Sequence, residues 1–242
     1  MSDADRIPRI ARRTFVLAGL AFVAGCTQTK GGSAAGQRTE ATTPDLELPA
    51  VVAPTPAGSS TPIASVGMIG DSITVRSKPA LTSVLASRGI SEVVIDAEVR
   101  RRIEVGNGKG DAPINGETAL RKLLADGVKP DVWVFALGTN DVGNVDHDAY
   151  SALIETMLAM PPATTPVVWV DVYRPSNLPQ TKVFNSTLRT TAAQRPLTSV
   201  VSWYALASDK SKKLLSSDNL HPNEAGESAF AALVGGAIAA LS

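Results

Sequence analysis

Two short stretches of the sequence carry residue types that together can perform nucleophilic catalysis. Ser72 lies in a Gly-Asp-Ser-Ile stretch that begins at residue 70, and His221 follows Asp218 by three residues. A serine hydroxyl is a poor nucleophile without an adjacent base. Imidazole suits that role because it takes up and returns a proton near neutral pH, and a neighbouring carboxylate orients it. Ser72, His221 and Asp218 are therefore the candidate nucleophile, base and orienting acid of an acyl-transfer site.

Acyl transfer also needs hydrogen-bond donors for the oxyanion of the tetrahedral intermediate. The side-chain amide of Asn140, in the Gly-Thr-Asn-Asp stretch 138–141, is one suitable donor. The backbone N–H of Ser72, at a predicted helix start, is another. Asp71 is predicted to shape the turn before Ser72 rather than to take part in chemistry. Each stretch alone also fits a helix cap, a polar loop or a local hydrogen bond. Their combination is what indicates a site.

The elements that must position these residues follow from five apolar runs separated by helical patterns. The runs are continuous rather than alternating, which is typical of strands buried on both faces. They predict an α/β fold, a three-layer α/β/α sandwich with a five-stranded parallel sheet. Ligands of such sheets bind at the carboxyl ends of the strands, where Ser72 and Asn140 fall. The five runs are 64–69, 92–97, 131–137, 166–173 and 199–203.

These stretches resemble the Ser, Asn and His blocks of the SGNH (GDSL-type) hydrolase family over residues 63–242. Ser72, Asn140 and His221 match the three blocks, and Asp218 has the family's D-x-x-H spacing. The resemblance implies a flavodoxin-like sheet with the serine after the first strand. It also implies catalysis by Ser72, Asp218 and His221, with an oxyanion hole that includes Ser72 and Asn140.

The sequence departs from the family after the second strand, where the family has a glycine whose backbone N–H is a further oxyanion donor. Arg100 occupies that position. Its backbone N–H can still serve as a donor, but we expect an arginine to lose glycine's freedom at positive φ. The side chains of Arg100 or Arg101 could instead bind an anionic substrate group. We favour a solvated basic cluster over this alternative.

Shorter motifs resemble the extracytoplasmic SGNH domains of peptidoglycan O-acetyltransferases. In those proteins a membrane acyltransferase domain delivers the acyl group. This sequence shows no membrane-spanning donor domain, so the resemblance implies hydrolysis of acyl esters or receipt of acyl groups from a separate membrane partner. The motifs are the Asp-Ala-x-Val stretch from Asp96, residues 138–140, 172–175, 184–188 and 218–226.

The N-terminus has the pattern of an export signal. Four arginines among the first 13 residues precede an apolar run, 15–25, that is too short to span a bilayer. The run ends at Cys26 in a stretch that resembles a bacterial lipobox, in which the cysteine is lipidated after residues 1–25 are removed. The arginine pair 12–13 also resembles a twin-arginine signal. The alternative is a buried N-terminal helix with an incidental thiol.

Residues 26–62 are rich in Pro, Thr, Ser and Gly and contain no aromatic residue. Such a segment buries too little apolar surface to offset its ordering entropy, so we predict a flexible tether. With a lipid on Cys26, the tether would hold the domain at the outer face of the cytoplasmic membrane in a bacterial cell envelope.

The composition narrows the classes of function that the chain could have. The net charge is zero, which argues against a nucleic-acid binder. The sequence has one cysteine and two histidines, and this composition favours neither a metal site nor a cofactor. His147 lies among acidic residues and is predicted to be solvated rather than catalytic. Three hypotheses remain: a lipid-anchored serine esterase acting on acylated envelope carbohydrate, an O-acyltransferase with the same triad, and a non-catalytic glycan-binding lipoprotein.

Overall fold

The computed structural model describes residues 62–241. The predicted signal peptide, Cys26 and all of the tether except its last residue lie outside these residues. Strands and helices alternate along the described chain. The strands are β1 Ser65–Gly70, β2 Glu92–Ala97, β3 Val132–Ala136, β4 Val167–Val170 and β5 Thr198–Val201. The helices are α1 Ser72–Ser87, α2 Gly116–Ala125, α3 Tyr150–Ala159, α4 Leu178–Ala192, α5 Trp203–Ala207 and α6 Glu224–Ala239.

The five strands form one parallel sheet with the order β2-β1-β3-β4-β5. Every residue of β3 is buried, and this explains why its sequence is a continuous apolar run. β2 lies at an edge and has exposed positions at Glu92 and Val94. The predicted α/β class and flavodoxin-like sheet are confirmed.

Helices cover both faces of the sheet and divide the core into two clusters. On one face, α1 and α6 pack with Leu81 and Phe230 against β-strand residues such as Met68. On the other face, α2, α3 and α4 pack against residues such as Phe135 and Trp169. The architecture is the predicted three-layer sandwich. Within the described residues, no helix is long and apolar enough to cross a membrane.

Short polar side chains set where the helices near the carboxyl edge begin. Asp71 caps α1 by accepting the N–H of Ile73, at 2.9 Å. Asn115 caps α2 by accepting the N–H of Thr118, at 2.7 Å. Asn223 caps α6 by accepting the N–H of Gly226. Because each cap satisfies a first-turn N–H, the residues that precede these helices are held in defined positions.

Candidate active site

The structure brings Ser72 and His221 together although they lie 149 residues apart in the chain. Ser72 is the first residue of α1, separated from β1 by Asp71 alone, and its Oγ lies 2.9 Å from Nε2 of His221. The other imidazole nitrogen, Nδ1, lies 2.7 Å from Oδ2 of Asp218. The order hydroxyl, imidazole, carboxylate is the arrangement in which imidazole can take the serine proton while the carboxylate orients it.

One tight loop presents both Asp218 and His221. Oδ1 of Asp218 accepts the backbone N–H groups of Leu220 and His221, each at 3.0 Å. Asn219, between them, adopts a left-handed conformation with φ of 57°, which asparagine tolerates better than most residues. The His221 carbonyl accepts the N–H of Ser216 at 2.8 Å. These bonds fix the imidazole through its backbone as well as through its ring.

The carboxyl group of Asp218 is held in its ionised form. Partial desolvation raises its pKa, but hydrogen bonds from the His221 side chain and from two backbone N–H groups outweigh this effect. The pKa of Asp218 falls to about 2 as a result. Asp218 is therefore a carboxylate at neutral pH, able to accept the Nδ1 proton of His221 and to stabilise an imidazolium.

The loop after β3 places Asn140 at the same edge of the sheet. Gly138 begins this loop with φ of 118°, and a Cβ there would collide with the Phe184 ring. The position therefore requires glycine. Nδ2 of Asn140 donates to the carbonyl of Arg101 at 3.1 Å. One of its two N–H groups is thus engaged, and no second acceptor for Nδ2 is found among residues 62–241.

Arg100 corrects one expectation from the sequence. We expected an arginine to lose the positive φ that glycine permits, yet Arg100 adopts φ of 65°. Its guanidinium donates to the carbonyl of Asp111, at 2.7 Å, within the same loop. The backbone N–H of Arg100, the third predicted oxyanion donor, has no backbone acceptor among the described residues.

The solvated basic cluster that we favoured is wrong for Arg101. Its side chain is only 1% exposed and is paired with Asp96 at 2.8 Å. The prediction fails because the end of β2 and the loop before α2 enclose the guanidinium, and the run of arginines does not reveal this packing. Arg102 is partly exposed, and its Nη2 donates to the carbonyl of Asn144.

Two buried carboxyl groups lie beside the catalytic residues. Burial raises the pKa of Asp71 to about 6, opposed in part by the N–H of Ile73. Burial likewise raises the pKa of Asp141 to about 6, opposed by the N–H of Ile103 and by Arg102. Because the folded state holds these protons more tightly than the unfolded state, their contribution to stability is complete below the ordinary pKa of 3.8. It is lost as the pH rises through about 6.

His147 lies apart from this arrangement. It is exposed, in a short 3₁₀ turn before α3, and its ring packs 5.7 Å from the ring of Tyr150. The prediction of a solvated residue is confirmed. Within residues 62–241 there is no group of three or more His, Cys, Asp or Glu side chains that could hold a metal ion.

Two residues that hold the site were not assigned a role from the sequence. Arg174 donates from Nη1 to the carbonyl of Thr139, at 2.7 Å, and so supports the loop that carries Asn140. Asp141 accepts the N–H of Ile103 and ties that loop to the segment after β2. Arg174 lies in the motif 172–175 shared with the O-acetyltransferase domains, and Asp141 directly follows the shared motif 138–140, which was the available signal, but a motif does not say what its side chains contact.

The sequence and the fold are similar to known proteins. The profile of the family described as GDSL-like Lipase/Acylhydrolase matches residues 68–229. TesA is 20% identical, with a TM-score of 0.61 over 74% of this chain and 99% of TesA. The C-terminal catalytic domain of peptidoglycan O-acetyltransferase A from Streptococcus pneumoniae, solved with a methylsulfonyl adduct, is 16% identical, with a TM-score of 0.58 over 75% of this chain and 96% of that domain.

A third structure with this fold is Est24, a carbohydrate acetylesterase from Sinorhizobium meliloti. It is 15% identical, with a TM-score of 0.52 over 74% of this chain and all of Est24. At these identities the three likenesses show a shared fold. No curated protein sequence matches the chain.

Proposed function

Since the chain belongs to the GDSL-like lipase/acylhydrolase family, we propose that it is a lipid-anchored serine esterase that cleaves acyl esters on cell-envelope carbohydrate. Family membership makes it an acyl hydrolase or acyltransferase. The observation that carries the proposal is the continuous hydrogen-bonded chain from Ser72 Oγ through the His221 ring to Asp218, with distances of 2.9 and 2.7 Å. This geometry supports the use of Ser72 as a nucleophile, with His221 as its base.

The first half-reaction forms an acyl-enzyme. Nε2 of His221 takes the proton from Ser72 Oγ while Oγ attacks the acyl carbonyl carbon. The carbonyl oxygen becomes an oxyanion that the N–H groups of Ser72, Asn140 and Arg100 stabilise. The imidazolium then gives the proton to the alcohol oxygen, the bond between that oxygen and the acyl carbon breaks, and the alcohol leaves.

The second half-reaction decides between hydrolysis and transfer. In hydrolysis, His221 takes a proton from water, the water oxygen attacks the acyl carbon, and Ser72 Oγ leaves and recovers its proton. A carboxylic acid is released. In transfer, a sugar hydroxyl replaces the water and a new ester forms. The same residues serve both outcomes, so O-acyltransfer, with acyl groups from a separate membrane protein, is the alternative function.

Two observations support envelope carbohydrate as the alcohol part of the substrate. The N-terminal pattern with Cys26 predicts export and lipidation, which would place the domain at the outer face of the cytoplasmic membrane. Among the proteins with this fold, one is named for peptidoglycan O-acetyl transfer and another for carbohydrate acetyl esters. A non-catalytic glycan-binding role is disfavoured because the nucleophile and its base are both present and hydrogen-bonded.

Ester cleavage by the purified protein tests the enzymatic part of this proposal. We expect the wild type to hydrolyse a chromogenic acetyl ester and Ser72→Ala to lose about 10⁴- to 10⁶-fold in kcat, because the nucleophile is gone. Product analysis with a sugar acceptor separates free acetate from a new sugar ester. Binding of acetylated glycan without either product would instead support the glycan-binding role.

The anchor is tested separately through Cys26. We expect Cys26→Ala to leave the N-terminal signal unprocessed and the protein without a lipid, because lipidation requires the thiol. Intact mass and partitioning into detergent measure the change in cells that express the full chain. Unchanged partitioning, together with a wild-type mass that carries no lipid, would contradict the anchor and leave the esterase proposal standing.

A further inference from the structure

The turn that follows β2 has an arginine where its geometry calls for glycine. The N–H of Arg101 donates to the carbonyl of Glu98, at 3.3 Å, which closes a four-residue turn over 98–101. Arg100, the third residue of this turn, has φ of 65°, whereas Val99 before it does not have a positive φ. These φ signs are those of a type II turn, whose third position favours glycine because a side chain there is strained.

Arg101, the next residue, is tied to the strand ends and the loop around this turn. Its Nε donates to the carbonyl of Ile114 at 2.9 Å, and its Nη1 donates to the carbonyl of Asp96 at 2.8 Å. Its Nη2 is paired with the carboxylates of Asp96 and Glu98, at 2.8 and 3.2 Å. With 1% exposure and all three nitrogens bonded, the guanidinium has a single position.

The same residue contacts the candidate oxyanion hole through its backbone. The carbonyl of Arg101 accepts Nδ2–H of Asn140, at 3.1 Å, and its N–H closes the turn that contains Arg100. The guanidinium of Arg101 therefore fixes the peptide units on which two of the proposed donors depend. One donor is the Asn140 amide and the other is the Arg100 backbone N–H.

We propose that Arg101 is a positioning residue of the oxyanion hole, whose buried guanidinium keeps Arg100 in the left-handed conformation that glycine would adopt unaided. The strained turn is maintained because bonds from Arg101 to β2 and to the carbonyl of Ile114 leave the segment no relaxed alternative. This inference rests on the proposed function, since it assigns Arg101 a task within the acyl-transfer site.

Arg101→Met tests the proposal by removing the guanidinium and keeping an apolar stem. We expect kcat for acetyl-ester cleavage to fall by about 10- to 100-fold, less than the 10²- to 10³-fold typical of deleting a donor outright, with KM changed by less than about threefold. The effect falls on kcat because the oxyanion donors act more on the transition state than on bound substrate.

Arg195→Met is the matched control. The guanidinium of Arg195 also donates to several backbone carbonyls, among them those of Pro162 and Thr165. These carbonyls precede β4, at the amino edge of the sheet and away from Ser72. We expect this variant to lose thermal stability and to keep the wild-type kcat. An equal fall in kcat in both variants would overturn the proposal, because the effect would then follow from stability alone.

The decisive experiment uses the double variant that combines Arg100→Gly with Arg101→Met. Glycine adopts a positive φ without strain, so the double variant is expected to recover most of the lost kcat. Should Arg101→Met fail to fold, Arg101→Lys replaces it, since lysine keeps the charge against Asp96 but cannot make all of the bonds of a guanidinium. A wild-type kcat in the single variant, or no recovery in the double variant, would overturn the positioning role. An inactive wild type would instead contradict the proposed function.

Discussion

His221→Ala is expected to lower kcat for acetyl-ester cleavage by about 10⁴- to 10⁶-fold. The reason is that Nε2 of His221 is hydrogen-bonded to Ser72 Oγ and no other imidazole is near that hydroxyl among the described residues. Without a base, the hydroxyl must lose its proton to water, and the leaving alcohol has no acid to protonate it. Steady-state kinetics on purified variants of confirmed secondary structure measure the loss.

His147→Ala provides the control, because it removes the same side chain from an exposed position. We expect kcat to change by less than about threefold, as is usual for surface substitutions. The His147 ring contacts Tyr150 and has no link to Ser72 in the part of the chain that the structure describes. Small and equal effects from both histidine substitutions would show that His221 is not the base.

Asn140→Ala is expected to lower kcat by about 10²- to 10³-fold, with a much smaller change in KM. Its amide is proposed to donate to the oxygen that becomes charged in the tetrahedral intermediate, so the loss falls on the transition state more than on bound substrate. Covalent labelling of Ser72 should persist at a lower rate, because the nucleophile and its base remain hydrogen-bonded.

Asn144→Ala is the matched amide substitution in the same loop. Nδ2 of Asn144 donates to the backbone carbonyl of Asn140, at 3.1 Å, and its side chain is exposed. We expect kcat within about threefold of wild type. If Asn140→Ala raised KM alone, or if the two variants lost activity equally, the amide of Asn140 would not be an oxyanion donor.

Much of the fold was predictable because the apolar runs are strands buried on both faces. The strand predicted over 92–97 is found at Glu92–Ala97, and the run 131–137 contains β3, Val132–Ala136. Such strands can be recognised without knowing which strands lie beside them, since burial on both faces requires apolar residues at every position. The spacing of Asp218 and His221 was equally informative, because one tight loop presents both side chains.

The run 166–173 shows that the apolar pattern does not predict where a strand ends. The strand itself covers only Val167–Val170. Asp171 follows, and its carboxylate is buried, where it accepts hydrogen bonds from Ser202, from Arg189 and from the N–H of Tyr204. Those partners lie between 18 and 33 residues away in the chain, so the sequence pattern alone does not indicate that the strand ends at this carboxylate.

The Arg100 segment was the largest error of interpretation. Three consecutive arginines are typical of a solvated surface, and they predict one when the residues that surround them in space are unknown. Burial of Arg101 depends on its bonds to the end of β2, to Glu98 and to the carbonyl of Ile114, and these follow from the turn over 98–101 and the course of the next loop rather than from residue type. The backbone conformation of Arg100 depends in turn on that burial, so neither property is readable from the residue types.

Covalent labelling with a fluorophosphonate probe tests the central claim most directly, because the probe reacts with a serine that a neighbouring base activates. Mass spectrometry of the labelled wild type should locate one adduct, on Ser72. The adduct should be absent in Ser72→Ala and strongly slowed in His221→Ala, whereas His147→Ala should label like the wild type. An unlabelled wild type of intact fold, or an adduct on another serine with Ser72 unmodified, would contradict the assignment of Ser72 as the nucleophile of an acyl-transfer site.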